Sequence, residues 1–165
     1  MKINQIRNYL WILNIVGAIL IIISIMMPTT YNDESATLYY VWITQIGVDA
    51  NPVSIYLLRQ DLALVIYSMI LTSLIFASSV ITITLTTTYI RASLNYKKLR
   101  WKLVILAGLV IVSTVWWIIM MELFYNSNGF NHWITTGGGY KPFFGIIGPF
   151  IGAALIILGF FSKRE

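Results

Sequence analysis

Four apolar runs divide the chain, at about residues 9–27, 62–90, 103–123 and 143–161, and the polar and charged residues gather between them. A helix needs about 20 apolar residues to cross a bilayer. The pattern predicts an all-α membrane protein built as a four-transmembrane-helix bundle. A single integral domain then covers residues 1–165.

The first run follows Lys2 and Arg7, as a signal peptide would. It exceeds the usual 7–15-residue core of such a peptide, and no Ala-x-Ala-like site follows, so it is expected to be a retained span. Tyr9 and Trp11 suit an interfacial aromatic belt at its start. Asn14 is polar within the run and is expected to be an interhelical hydrogen-bond partner.

Residues 28–61 form the longest polar interval, and they alternate like strands in places. Thr37 to Val48 reads TLYYVWITQIGV, rich in β-branched and aromatic residues. It predicts one strand, with Leu38, Tyr40, Trp42, Thr44, Ile46 and Val48 on one face. Asp49-Ala-Asn-Pro52 is a turn signal, and Val53 to Leu58 reads as a second strand. The expectation is a hairpin within a small antiparallel β-sheet in the extracellular loops. Tyr40, Trp42 and Arg59 are its core, and residues 28–31 and 133–136 are candidates for added strands. A two-stranded hairpin alone is marginal, so such support is required.

The second run is rich in hydroxyls, and Thr72, Ser79 and Thr86 recur on one helix face. Small and hydroxyl residues allow close helix approach in lipid, so packing is favoured over a pore lining. At the end of the third run, Trp116, Trp117, Phe124 and Tyr125 suggest an aromatic belt. In the fourth run Gly145, Gly152 and Gly159 recur every seven residues, and Gly148 precedes Gly152 by four. Such a stripe marks a face where another helix packs, in this chain or in another. Pro149 falls early enough for the loss of its amide donor to be tolerable.

Charge sets the expected orientation. Arg91, Lys97, Lys98, Arg100 and Lys102 crowd the link between the second and third runs, with no acid among them. The positive-inside rule places this loop in the cytoplasm. Nine of the eleven positive residues then share the side of both termini. The intervals at 28–61 and 126–141 fall outside, and the membrane is the plasma or cytoplasmic membrane. Composition agrees: 58% of residues are hydrophobic and 10% charged, against about 25% charged in soluble domains. The net charge of +5 sits beside apolar runs, where topology and anionic headgroups account for it, so nucleic acid is not an expected partner.

Candidate chemistry is sparse. The chain has no cysteine, which excludes disulfides and thiolate ligands. Gly137-Gly138-Gly139 lacks the spacing of a phosphate-binding loop. His132, the only histidine, could join Asp61 and Glu122 around a divalent cation; a surface histidine with two interfacial carboxylates is the favoured reading. No catalytic residue, metal or cofactor is expected, and the chain reads as non-enzymatic.

This layout resembles the claudin and peripheral-myelin-protein superfamily of tetraspan proteins. The residues that correspond are Trp42 in the first outer loop and Arg59 near the outer start of the second helix. The family's Gly-Leu-Trp-x-x-Cys…Cys signature is absent; around Trp42 the chain reads VWITQIG. The resemblance implies one extracellular sheet built from loop strands, and a role in protein–protein interaction or membrane organisation. Its expected partners are the lipid bilayer and other membrane chains, of the same or a different kind. The alternative is a cofactor-free accessory subunit of a larger membrane enzyme, of respiratory or monooxygenase type. A small channel or transporter is weaker, because no charge lies within the spans.

Overall fold

The computed structural model describes residues 9–32, 37–39, 44–47, 54–57, 62–91, 96–127 and 140–161. Four helices account for most of them: α1 (Ile12–Met26), α2 (Leu62–Arg91), α3 (Tyr96–Ser127) and α4 (Phe144–Gly159). Two helical stretches, Ile66–Arg91 and Leu99–Leu123, are long and apolar enough to cross a membrane. α1 and α4 are equally apolar but shorter, at 15 and 16 residues.

Hydropathy places the helices, and helical pairing arranges them. α1 packs most extensively on α4, and α2 on α3. α1 with α2 and α3 with α4 close the ring. Asn14 near the start of α1 meets Gly159 at the end of α4, and Ser24 near the end of α1 meets Gly148. The two helices are therefore antiparallel. Ala18, Ile21, Ile75, Leu103, Val110 and Ile156, drawn from all four helices, form part of one buried core.

Five short strands, β1 (Thr30–Asn32), β2 (Thr37–Tyr39), β3 (Thr44–Gly47), β4 (Ser54–Leu57) and β5 (Tyr140–Pro142), pair in the order β4-β3-β2-β1-β5. Every pairing is antiparallel. β1 and β5 continue the α1/α4 pair: Thr30 lies opposite Pro142, and Asn32 opposite Tyr140. The carbonyls of Pro28 and Thr29 accept from Gly145 N at 2.8 Å and Phe143 N at 2.7 Å. The entry to β1 thereby satisfies amide donors that the first turn of α4 would leave without helical partners.

Two expectations are corrected, and a third lies outside the described residues. The continuous strand 37–48 does not form. Thr37 pairs with Gly47 and Tyr39 with Gln45, so the segment folds back on itself. Its two apolar faces gave no local cue to the reversal. The strand added from the second polar interval is Tyr140–Pro142; residues 133–136 lie outside the described residues. The basic link is not a loop throughout, because Lys97, Lys98, Arg100 and Lys102 belong to the first turns of α3. Lysine and arginine are good helix formers, and only residues 92–95 separate the two long helices.

Candidate functional site

The α1/α4 contact is built on glycine. A Cβ added to Gly145 would lie 2.6 Å from the carbonyl oxygens of Met27 and Pro28. One on Gly148 would collide with Ser24, one on Gly152 with Ile21 and the Gly17 carbonyl, and one on Gly159 with Asn14. Without side chains the two backbones approach closely, and dispersion between them contributes to the contact. All four glycines of the α4 stripe therefore face α1 of the same chain. The face that the spacing left open to a second chain is already occupied. Pro149 is buried on this helix and lies beyond the first turn, so it does remove an intrahelical donor, the one that would reach Gly145.

The buried side of α2 is rich in hydroxyls. Ser68, Ser78, Ser79, Thr82 and Thr86 are buried along α2. Ser79 Oγ donates to Ile75 O at 2.9 Å, and Thr82 Oγ1 to Ser78 O at 2.8 Å. Thr114 on α3 does the same to Val110 O at 2.8 Å. Ser79, Thr82 and Thr114 are thus satisfied within their own helices and require no partner across a helix contact, whereas the buried Thr86 Oγ1 has no hydrogen-bond partner. Thr72 sits half-buried one heptad before Ser79. A direct crossing bond also exists: Trp117 Nε1 donates to Ser68 Oγ at 3.0 Å, fully buried.

Trp117 corrects the aromatic-belt reading. Its neighbour Trp116 is 49% exposed, whereas Trp117 is 2% exposed. Successive helix residues point about 100° apart, so one indole faces outward and the next fills the core. Trp117 also lines a small cavity with Ile25, Ile75, Thr114, Gly145, Ile146 and Pro149, shared by all four helices.

The two ends of the bundle differ in character. The sheet occupies the end where α1 finishes and α4 begins. Arg91, Arg100 and Lys102 occupy the other end. There the Arg100 guanidinium lies 5.7 Å from the Phe160 ring centroid. Trp101 meets Phe160 edge-on at 5.6 Å. Between these ends no charged side chain is fully buried among the described residues.

Tyr40, Trp42, Arg59, Asp61 and His132 lie outside the described residues; Glu122 is half-buried near the end of α3. Among the described residues no three His, Cys, Asp or Glu come together. The sequence reading passed over Gly17, which mirrors Gly152; an isolated glycine inside a 15-residue apolar helix was its signal. No family model matches the chain, and no curated protein is significantly similar to it.

Proposed function

We propose that the chain is a four-span membrane protein of the plasma or cytoplasmic membrane, acting without catalysis in protein–protein interaction or membrane organisation, in the manner of the claudin-like tetraspan proteins. The observation that carries the reading is the pairing of β1 with β5. It joins strands from both polar intervals into one sheet seated on the α1/α4 pair, as the resemblance implies for an extracellular platform. The span count is supported by the packing of α1 and α4 alongside α2 and α3. Helices packed side by side share one depth, and the short pair extends about 22 Å of the roughly 30 Å core, with flanking residues completing the crossing. Exposed Ile19, Ile23, Ile70, Leu109, Val112, Ile119, Ile147 and Ile151 give the outer surface the character of a lipid contact.

Orientation follows from charge. The end bearing Arg91, Arg100 and Lys102 is read as cytoplasmic, and the sheet as extracellular. The chain has no cysteine, so single cysteines report their side directly. A membrane-impermeant maleimide is expected to label Thr37→Cys in intact cells and Arg91→Cys only after permeabilisation. The reverse pattern overturns the orientation.

The sheet offers the contact surface. β4 and β5 are its edges, and edge strands carry unpaired backbone groups that suit strand addition. Mild-detergent extraction from the native membrane, with mass determination, tests the function. Recovery as a monomer or homo-oligomer supports the tetraspan reading. Stoichiometric foreign chains instead identify an accessory subunit.

A further inference from the structure

Thr86 stands apart among the hydroxyls of α2. Ser79, Thr82, Thr84 and Thr87 each donate to a carbonyl four residues back on the same helix, at 2.8–2.9 Å. Thr86 Oγ1 does not join them. It is fully buried and has no hydrogen-bond partner. Native proteins rarely leave a buried hydroxyl in this state, and each case needs an account.

Helix geometry brings a second polar side chain to the same level. α2 and α3 pack as a hairpin across residues 92–95. α3 runs antiparallel to α4, since Trp101 meets Phe160 at one end and Trp117 shares a cavity with Gly145 at the other. α4 is antiparallel to α1, so α2 and α1 are antiparallel as well. Ile25 of α1 and Ile75 of α2 line the same cavity. Asn14 and Thr86 each lie eleven residues from that point, toward the basic end. Eleven residues make about three full turns and a rise of about 16 Å. Asn14 therefore falls on the helix face of Ile25, and Thr86 on that of Ile75, at one level in the bundle interior. Asn14 is as fully buried as Thr86, and its carboxamide lies over Gly159 of α4.

We propose that Thr86 and Asn14 bind one internal water molecule, which bridges α2 to α1. A hydroxyl and a carboxamide each donate and accept, so both can serve a water in either sense, and the carboxamide keeps groups for its other bonds. Internal waters in folded proteins settle at such otherwise unmet polar groups. No Asp or Glu lies on α1, on α4 or in residues 62–121, so the level suits a neutral ligand over a metal ion. Sliding either helix by one residue would turn its polar group by about 100° and break the bridge. The water thus fixes the register of α1 against α2. The site goes beyond the interaction reading above and does not depend on it.

The test uses the full chain, purified in mild detergent and crystallised from a lipid phase. The experimental map is expected to show one ordered water within about 3.2 Å of both Thr86 Oγ1 and a side-chain amide atom of Asn14. Thr86→Val keeps the shape and removes the hydroxyl, so the water should be lost. Thr86→Ser should retain it. A second readout needs no crystal. In methyl-labelled protein the Thr86 methyl should show a nuclear Overhauser effect from water. The Thr82 methyl, whose hydroxyl is bonded to Ser78 O, should show none. Should Thr86→Val fail to fold, the parent map and the two methyl signals still decide. The proposal is overturned by a Thr86 hydroxyl bonded to the Thr82 carbonyl or directly to Asn14. A water that persists in Thr86→Val, or an equal effect at both methyls, overturns it too.

Discussion

Gly17 of α1 and Gly152 of α4 stand face to face, and a Cβ on Gly152 would come within 2.6 Å of the Gly17 carbonyl oxygen. Backbone is the obstacle here, and backbone cannot swing aside as a long side chain can. The closest helix pair in the bundle is thus set by the absence of two side chains.

Enlarging that contact should part α1 from α4. Gly152→Leu is expected to destabilise the fold by about 1–3 kcal/mol, the range for overpacking. Gly108 supplies the contrast. Nothing lies within 4 Å of a Cβ built there, so Gly108→Ala should be neutral or stabilising by up to about 1 kcal/mol. Reversible unfolding in detergent, followed by tryptophan fluorescence, measures both. A tolerated Gly152→Leu would remove the packing argument.

The Trp117–Ser68 bond ties α2 to α3. A double-mutant cycle with Ser68→Ala and Trp117→Phe should return a coupling of about 0.6 kcal/mol, and no more than about 1.7. Ser68→Ala alone leaves the indole N–H buried without this acceptor, so a change in Trp117 emission should accompany the loss. Zero coupling would mean that the bond contributes nothing to stability.

Val112 separates a lipid-facing surface from a watery one. It lies midway along α3 and is 64% exposed. On a surface in water, Val112→Arg would be almost neutral. Facing lipid, it should cost about 2.5–3.5 kcal/mol of insertion free energy. The fraction of chain recovered in alkaline-washed membranes reads the difference. Undiminished recovery would count against the spanning assignment of α3.

The buried hydroxyls of α2 should prove replaceable. Thr82 bonds the carbonyl of Ser78 on its own helix. That carbonyl keeps its backbone partner when the hydroxyl is removed, so Thr82→Val is expected to change stability by less than about 1 kcal/mol. Ion flux into liposomes should be the same for Thr82→Val and the parent chain. A flux altered by this one substitution would revive the pore reading.

The helices were legible in the sequence because the signal is local. Apolar runs need internal backbone pairing wherever they are buried or lipid-facing, and only a helix provides it within one segment. The glycine periodicity of α4 and the hydroxyl-rich face of α2 were legible for the same reason, since each lies on one helix. The charge difference between the intervals could likewise be counted from the residues alone.

What only the tertiary structure decided is who meets whom. Both faces of these helices carry apolar side chains, so composition does not tell an outward Ile19 from an inward Ile21, or an outward Trp116 from the buried Trp117. The partner of the glycine stripe is α1, some 130 residues earlier in the chain, and it is chosen by backbone proximity at Gly17 and Pro28. The fold-back that pairs Thr37 with Gly47 was hidden because both faces of that segment are apolar. β1 and β5 meet because the two helices they extend are already antiparallel. Sequence by itself determined which segments become helices and where positive charge accumulates. Tertiary packing decided the pairings, because close approach depends on two surfaces at once and neither is written in one segment.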